Sequence, residues 1–178
     1  KRVRDAERLF IAEGDKLISE ILQSGWRVKS LYALEGHFEG RAERVSEKEM
    51  ERISQLKTAS TSLAVVYQPR YEQPRVASAE RLSLALDGVQ NPGNLGTIIR
   101  LADWFGVEDI FCSEDTADCF NPKVVQATMG AILRVRVHYT NLAEWLKNQH
   151  DTKIYGTFLE GENIYSAQLD KSGVIVMG

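Results

Sequence analysis

The stretch from Asp87 to Ala102, reading D-G-V-Q-N-P-G-N-L-G-T-I-I-R-L-A, constrains this chain more than any other. An apolar run from Leu82 to Leu86 leads into it, and a helical pattern of Leu95, Ile98, Ile99, Ala102 and Phe105 leads out. The turn between them therefore sits at a strand-to-helix junction, where α/β proteins place binding and chemistry. Pro92, Gly93 and Gly96 permit a tight backbone that a ligand can approach. Asn91 and Asn94 bring amide donors and acceptors, and Arg100 follows Asn94 by six residues, under two helical turns. On the residues alone, a glycine-rich loop capping a helix explains the stretch as well as a functional site does.

From this junction onward strand and helix patterns alternate. Strands are expected over 82–86, 109–112, 134–139, 153–158 and 174–177, and helices over 94–105, 122–132 and 142–148. Alternation with short connections predicts a parallel sheet wrapped by helices on both faces. The part ahead of it reads βαβαβ. It begins extended at Arg8 and turns at Gly14 into a helix with Leu17, Ile18, Ile21 and Leu22 on one face and a stop at Gly25. A strand over 28–34 follows. Ser46-Glu47-Lys48-Glu49 then makes a capping box ahead of Met50, Ile53 and Leu56, and a strand over 62–67 closes a compact three-layer module. Lys57 to Ser62 form a small polar loop, a connector that could also approach RNA. Residues 68–75 hold two prolines and alternating charges with no apolar period, an extended linker. The expected division is thus 1–68, a linker over 69–79, and 80–178, with the first domain tethered beside the second rather than fused to it.

The net charge of −3 hides an asymmetry: up to Val76 there are 14 Lys and Arg against 12 Asp and Glu, and after it 8 against 13. The basic excess of the first part is mild and fits a solvated surface as well as an RNA footprint. Cys112 and Cys119 are not in C-x-x-C spacing, and His37, His138 and His150 stand singly, so no zinc site is expected. No apolar run approaches the roughly 18 residues of a membrane span, and Lys1 to Arg8 lack the apolar region of a signal peptide, which reads as a cytoplasmic protein.

Taken whole, the junction is similar to motif 1 of the SpoU (TrmH-type) RNA ribose 2′-O-methyltransferases of the SPOUT superfamily, N-P-x-N-x-G-x-x-x-R-x-A. Asn91, Pro92, Asn94, Gly96, Arg100 and Ala102 fill its fixed places. The resemblance continues through Ala127-Thr128-Met129-Gly130-Ala131 and Arg134-Val135-Arg136-Val137, and Val174 to Gly178 looks like the opening of motif 2. F-I-A-E-G-x-K-L, from Phe10 to Leu17, resembles the start of the small substrate-recognition domain that many of these enzymes carry.

The resemblance implies an α/β architecture of two parts. A small ribosomal-protein-like α/β/α domain precedes a parallel-sheet α/β-knot methyltransferase domain, whose C-terminal part is tucked through a loop as a trefoil knot. It implies transfer of a methyl group from S-adenosyl-L-methionine to a ribose 2′-OH in structured RNA, ribosomal RNA favoured over transfer RNA, by a homodimer formed through the methyltransferase domain. It makes Arg100 catalytic, with Asn94 orienting Arg100 or the substrate. Gly178 would meet the cofactor through its main chain, and Thr157, Leu159 and Gly161 would line the same crevice. After Met177-Gly178 the family continues with N-E-G-x-G and later S-L-N-V-S, which these 178 residues do not contain. The expectation is a piece of a longer chain, truncated within the methyltransferase domain and binding cofactor poorly by itself.

The plain alternatives at the site are an ion pair of Arg100 with Asp103 and a helix cap for Asn94. A Rossmann-type nucleotide enzyme lacks its G-x-G-x-x-G here. A non-catalytic RNA-binding protein that kept the fold is the rival from another class.

Overall fold

A computed structural model describes residues 6–72, 74, 77 and 80–178, which carry two sheets. The first is built from β1 (Leu9–Glu13), β2 (Val28–Ala33), β3 (Glu43–Arg44) and β4 (Ser62–Tyr67), in the order β1-β4-β2-β3. Its β1/β4 and β4/β2 pairs are antiparallel and β2/β3 is parallel. Helix α1 (Asp15–Ser24) follows the bend at Gly14 and ends at a left-handed Gly25, where the sequence places its stop. Helix α2 (Glu47–Ile53) opens on the expected capping box, with the Ser46 N–H donating to the Glu49 carboxylate at 2.8 Å. It is shorter than its apolar period, because Ser54 and Gln55 leave the helix to bond a buried carboxylate. Glu13, only 5% exposed, accepts from Ser54 Oγ at 2.6 Å and from the Gln55 N–H at 2.7 Å. The two-residue strand β3 carries no periodicity and escaped the sequence pattern.

The second sheet is all parallel, in the order β7-β6-β5-β9-β8. It comprises β5 (Leu82–Leu86), β6 (Asp109–Ser113), β7 (Arg136–Thr140), β8 (Ile154–Gly156) and β9 (Gly173–Met177). Helices α3 (Pro92–Trp104), α4 (Pro122–Thr128) and α5 (Leu142–Lys147) connect them. Strand alternation sorts the core. Leu84, Leu86, Ile110 and Cys112 face Leu95, Ile99 and Ala102 of α3 and Val124 of α4, while Ala85, Phe111 and Val174 face Leu142 and Trp145 of α5. The Phe111 ring stacks on Trp145 at 3.9 Å and on His138 at 5.0 Å. Both faces are covered, which is why these strands read as near-continuous apolar runs.

Helix α4 stops at Thr128, short of the expected Ile132, because Met129 (φ 50°) and Gly130 (φ 92°) turn left-handed. A 3-10 turn at Ala131–Leu133 takes up the slack, and β7 begins two residues late. At the sheet edge, Asp109 accepts from Arg136 at 2.6 Å and lies 2.8 Å from the His138 ring. Burial alone would raise its pKa, but the hydrogen bonds from Arg136 and His138 outweigh it and hold the carboxyl below its ordinary value.

The loose tether expected between the two parts is not what the chain forms. Phe10, Ile18, Ile21, Ala64 and Val66 of the first unit bury together with Val125 of α4, and Phe120 and Leu133 pack against the same cluster. The Phe10 and Phe120 rings meet at 5.0 Å. A shared apolar cluster of this kind resists hinge motion in a way that a polar linker cannot. Described parts of the expected linker are tied down as well: the Trp145 Nε1–H donates to the Pro74 carbonyl at 3.2 Å, and the Ala77 N–H donates to Gln149 Oε1 at 2.7 Å. Burial pushes the Tyr71 phenol up to about 12. Residues 1–5, 73, 75, 76, 78 and 79, including parts of the N-terminal and linker readings, lie outside the described residues.

Candidate active site

Helix α3 begins with Pro92 in its first turn, and it is Asn91, not Asn94, that caps it. Asn91 Oδ1 accepts from the Gly93 N–H at 2.8 Å and from the Asn94 N–H at 3.2 Å. The helix thus starts two residues earlier than its apolar pattern suggests, since proline satisfies the first turn without an N–H. The capping alternative for Asn94 falls away. Its exposed side chain has no hydrogen-bond partner among the described residues and is available to a ligand.

One turn on, Gly96 fixes how closely α3 and α4 approach. A Cβ there would lie 2.4 Å from Ala127 Cβ and 3.1 Å from the Val124 carbonyl oxygen. The contact seats the end of α4 beside the next turn of α3, where Arg100 stands exposed with Nη1 at 3.1 Å from Met129 Sδ. The ion-pair alternative for Arg100 also fails, because Asp103 is taken by Arg134, whose Nη2 donates to it at 2.8 Å. Among the described residues Arg100 has no carboxylate partner.

A second group gathers at the C-terminal ends of the strands. The Asp87 N–H donates to the Met177 carbonyl at 2.8 Å, and a Cβ on Gly178 would lie 2.9 Å from the Asp87 carbonyl oxygen. Thr157 joins them from β8, its N–H and Oγ donating to the Val176 carbonyl at 3.0 and 3.1 Å. The opening of the junction, Gly178 and Thr157 are therefore brought to one edge.

Leu159 and Gly161, on the loop after β8, are exposed. Leu159 is 107% exposed, and Gly161 has nothing within 4 Å of its would-be Cβ. Their segment turns on itself around Asn163 and is held to the body through Asp170, which meets the Tyr155 hydroxyl and Lys153.

Arg100 stands nine residues beyond the Asn91 cap, roughly 13 Å along the helix axis at 1.5 Å per residue. What does approach it is the first unit. A groove of about 280 Å³ runs between the turn carrying Glu13, Gly14 and Lys16 and the Gln126 and Met129 side of α4. The same turn organises a loop. Asp15 accepts from Thr61 Oγ1 at 2.9 Å and Ser62 Oγ at 2.5 Å, so Glu13 and Asp15 hold opposite ends of the segment bearing Lys57. Burial would raise the Asp15 pKa, but hydrogen bonds from Ser62, Thr61 and His37 hold it below its ordinary value. Periodicity gave no signal for Met129 as a neighbour of Arg100, or for Arg134 and Glu20 gathering at Asp103. Only the motif spacing marked that region.

Among the described residues no cluster of three or more His, Cys, Asp and Glu could hold a metal, and no helix is long and apolar enough to cross a membrane. Cys112 and Cys119 are buried thiols outside any disulfide, and burial pushes the Cys112 thiol up, away from the reactive thiolate.

Residues 81–178 match the model of the SpoU rRNA Methylase family, and residues 1–64 match an MRM3-like substrate binding domain. The chain is 30% identical over 169 residues to the Bacillus subtilis 23S rRNA (guanosine(2553)-2′-O)-methyltransferase RlmP, covering 90% of this chain and 66% of that protein. Against human mitochondrial rRNA methyltransferase 3 it is 26% identical over 177 residues, covering 85% of this chain and 40% of that one. It thus spans two thirds or less of the length of these relatives. The crystal structure of an AdoMet-bound rRNA methyltransferase from Sinorhizobium meliloti superposes with a TM-score of 0.84 at 30% identity, over 99% of this chain and 73% of that chain. The parallel sheet, the complete motif on α3 and a family match over more than half of the residues agree, and the chain belongs to the SpoU rRNA methylase family.

Proposed function

We propose that the protein methylates a ribose 2′-OH in structured RNA, ribosomal RNA before transfer RNA, with S-adenosyl-L-methionine as donor. The observation that carries this reading is an exposed Arg100 guanidinium with no carboxylate partner among the described residues, set on the helix that carries the full family motif. Family membership and the names of the relatives favour ribosomal RNA.

The cofactor is assigned to the edge where β5, β9 and β8 end, which presents main-chain groups: the Gly178 backbone lies against Asp87 with no room for a side chain. Gly178 and Thr157 would hold it, and it would supply an electrophilic methyl carbon. Arg100 grips the RNA phosphate with its planar fork and aligns the neighbouring hydroxyl. A guanidinium offers donors only and no lone pair to take a proton, so it is not a free general base and the hydroxyl proton leaves to a phosphate oxygen or to solvent. Asn94, with a donor and an acceptor on one amide, orients the substrate or the guanidinium. Radiolabelled donor, intact protein and ribosomal RNA, followed by digestion to nucleosides, should yield a 2′-O-methylnucleoside. Label only on a base, or none on any RNA, overturns the reading.

The first unit is assigned RNA selection. Removing it would uncover Phe120 and Val125, so the cleaner test is charge reversal in its pegged loop. Lys57→Glu should weaken RNA retention on filters and leave donor binding unchanged, and unaltered retention would end the assignment. A homodimer formed through the methyltransferase domain is supported by Trp104 and Phe105, 83% and 75% exposed at the end of α3. Sedimentation equilibrium giving one chain mass at micromolar protein would exclude it. The cell compartment assigned is the cytoplasm. Export with a leader, seen by fractionation, would remove that placement.

A further inference from the structure

Asp103 lies three residues after Arg100 on α3, the spacing at which an acid and a base share one face of a helix. Left alone, the two side chains would pair, and the guanidinium needed for a phosphate would be partly occupied. A second arginine prevents this. Arg134 Nε donates to both oxygens of Asp103 at 2.9 and 3.0 Å, and its Nη2 donates to Oδ2 at 2.8 Å. This forked grip engages the whole carboxylate, which a lysine could not reproduce. The remaining donor, Nη1, reaches Glu20 of α1 at 3.4 Å.

The backbone is shaped for this cluster. Gly130, left-handed between α4 and the 3-10 turn, has no side chain, and a Cβ there would lie 2.5 Å from Glu20 Oε2. Glu20 can therefore come in from the first unit to the foot of the turn that presents Arg134. Hydrogen bonding to Asp103 raises the already high pKa of Arg134, so the clamp stays cationic.

The geometry points to Arg134 as a positioning residue. By holding Asp103 it keeps that carboxylate off Arg100 and leaves the Arg100 guanidinium free for an RNA phosphate, and through Glu20 it ties this to the seating of the first unit. Its consequence for RNA rests on the methyltransferase reading, but the clamp can be tested without RNA.

The probe is phenylglyoxal, with modification of the Arg100 peptide followed by mass spectrometry in the intact protein. Arg134→Met should slow Arg100 modification by about two- to threefold, in keeping with weak exposed pairs at this spacing. Adding Asp103→Asn in the same background should restore the rate. An equal rate in the wild type and Arg134→Met overturns the proposal, and so does a slowed rate that Asp103→Asn leaves slowed. Methyl transfer supplies the second readout. Arg134→Met should raise the KM for RNA more than it lowers kcat, with Asp103→Asn reversing the rise; a loss without reversal marks Arg134 as merely structural. A wild-type protein that transfers no methyl group yet keeps the reactivity order would remove the enzymatic reading and support the clamp. Circular dichroism of each variant separates these outcomes from misfolding, and Glu20→Gln, which leaves the Asp103 fork in place, provides a milder variant.

Discussion

Arg100→Ala in the intact protein is expected to lower methyl transfer to RNA by about two to three orders of magnitude, the usual cost of deleting one charge-stabilising donor. Binding of S-adenosyl-L-methionine, followed by calorimetry, should be unchanged. The separation follows from position, since Gly178 and Thr157 gather at the strand ends, while Arg100 lies along α3 against Met129. Stability should barely move, because the side chain is exposed and has no carboxylate partner among the described residues. Arg100→Lys keeps the charge and loses the fork, so it should fall between Ala and wild type. A transfer rate near wild type for Arg100→Ala would leave this arginine without a catalytic role and take the central assignment with it.

Much of this arrangement could be read from the residues, for physical reasons that also explain where reading stopped. Strands buried on both faces write long apolar runs, so 82–86, 109–112 and 174–177 announce a parallel sheet in the residues themselves. The capping box at Ser46 and the glycine stop at Gly25 are local chemistry and were legible as such. Asn91 was harder, because the apolar period of α3 begins only at Leu95, and proline and glycine fill the first turn without contributing to it. The end of α4 was hidden for the opposite reason. Ala131 and Ile132 continue a helical apolar pattern, but they are buried from a 3-10 turn instead.

What the sequence could not convey was how the two units sit. Phe10, Val125 and Phe120 are each ordinary core residues of their own segments, and only the folded arrangement makes them bury one another. The clamp on Asp103 belongs to the same category. Its acid was legible as a neighbour of Arg100 from helix spacing, but the competing base comes from a turn 31 residues away.

Substitution of Gly96 tests the packing on which the site depends. Gly96→Val should destabilise the fold by about 3 kcal/mol, the upper end of overpacking in a tight interior, lowering Tm by roughly 6–12 °C for a chain of this size. Gly96→Ala should cost less, about 1 kcal/mol, because the gain in helix propensity offsets part of the clash. The clash itself is hard to relieve. Ala127 Cβ is fixed to the backbone of α4, and the Val124 carbonyl oxygen, at 3.1 Å, cannot swing aside as a long side chain would. Ala127→Gly in the Gly96→Ala background should therefore recover part of the loss, whereas Gly161→Ala, in open space, should be neutral to within about 0.5 kcal/mol. Because α3 can make room only by moving off α4, methyl transfer should fall even at temperatures where Gly96→Val stays folded, as Arg100 leaves its seat on Met129. Equal melting temperatures for Gly96→Val and wild type would mean that the helices separate at no cost. The glycine of the motif would then have to act on the ligand side rather than on the packing side.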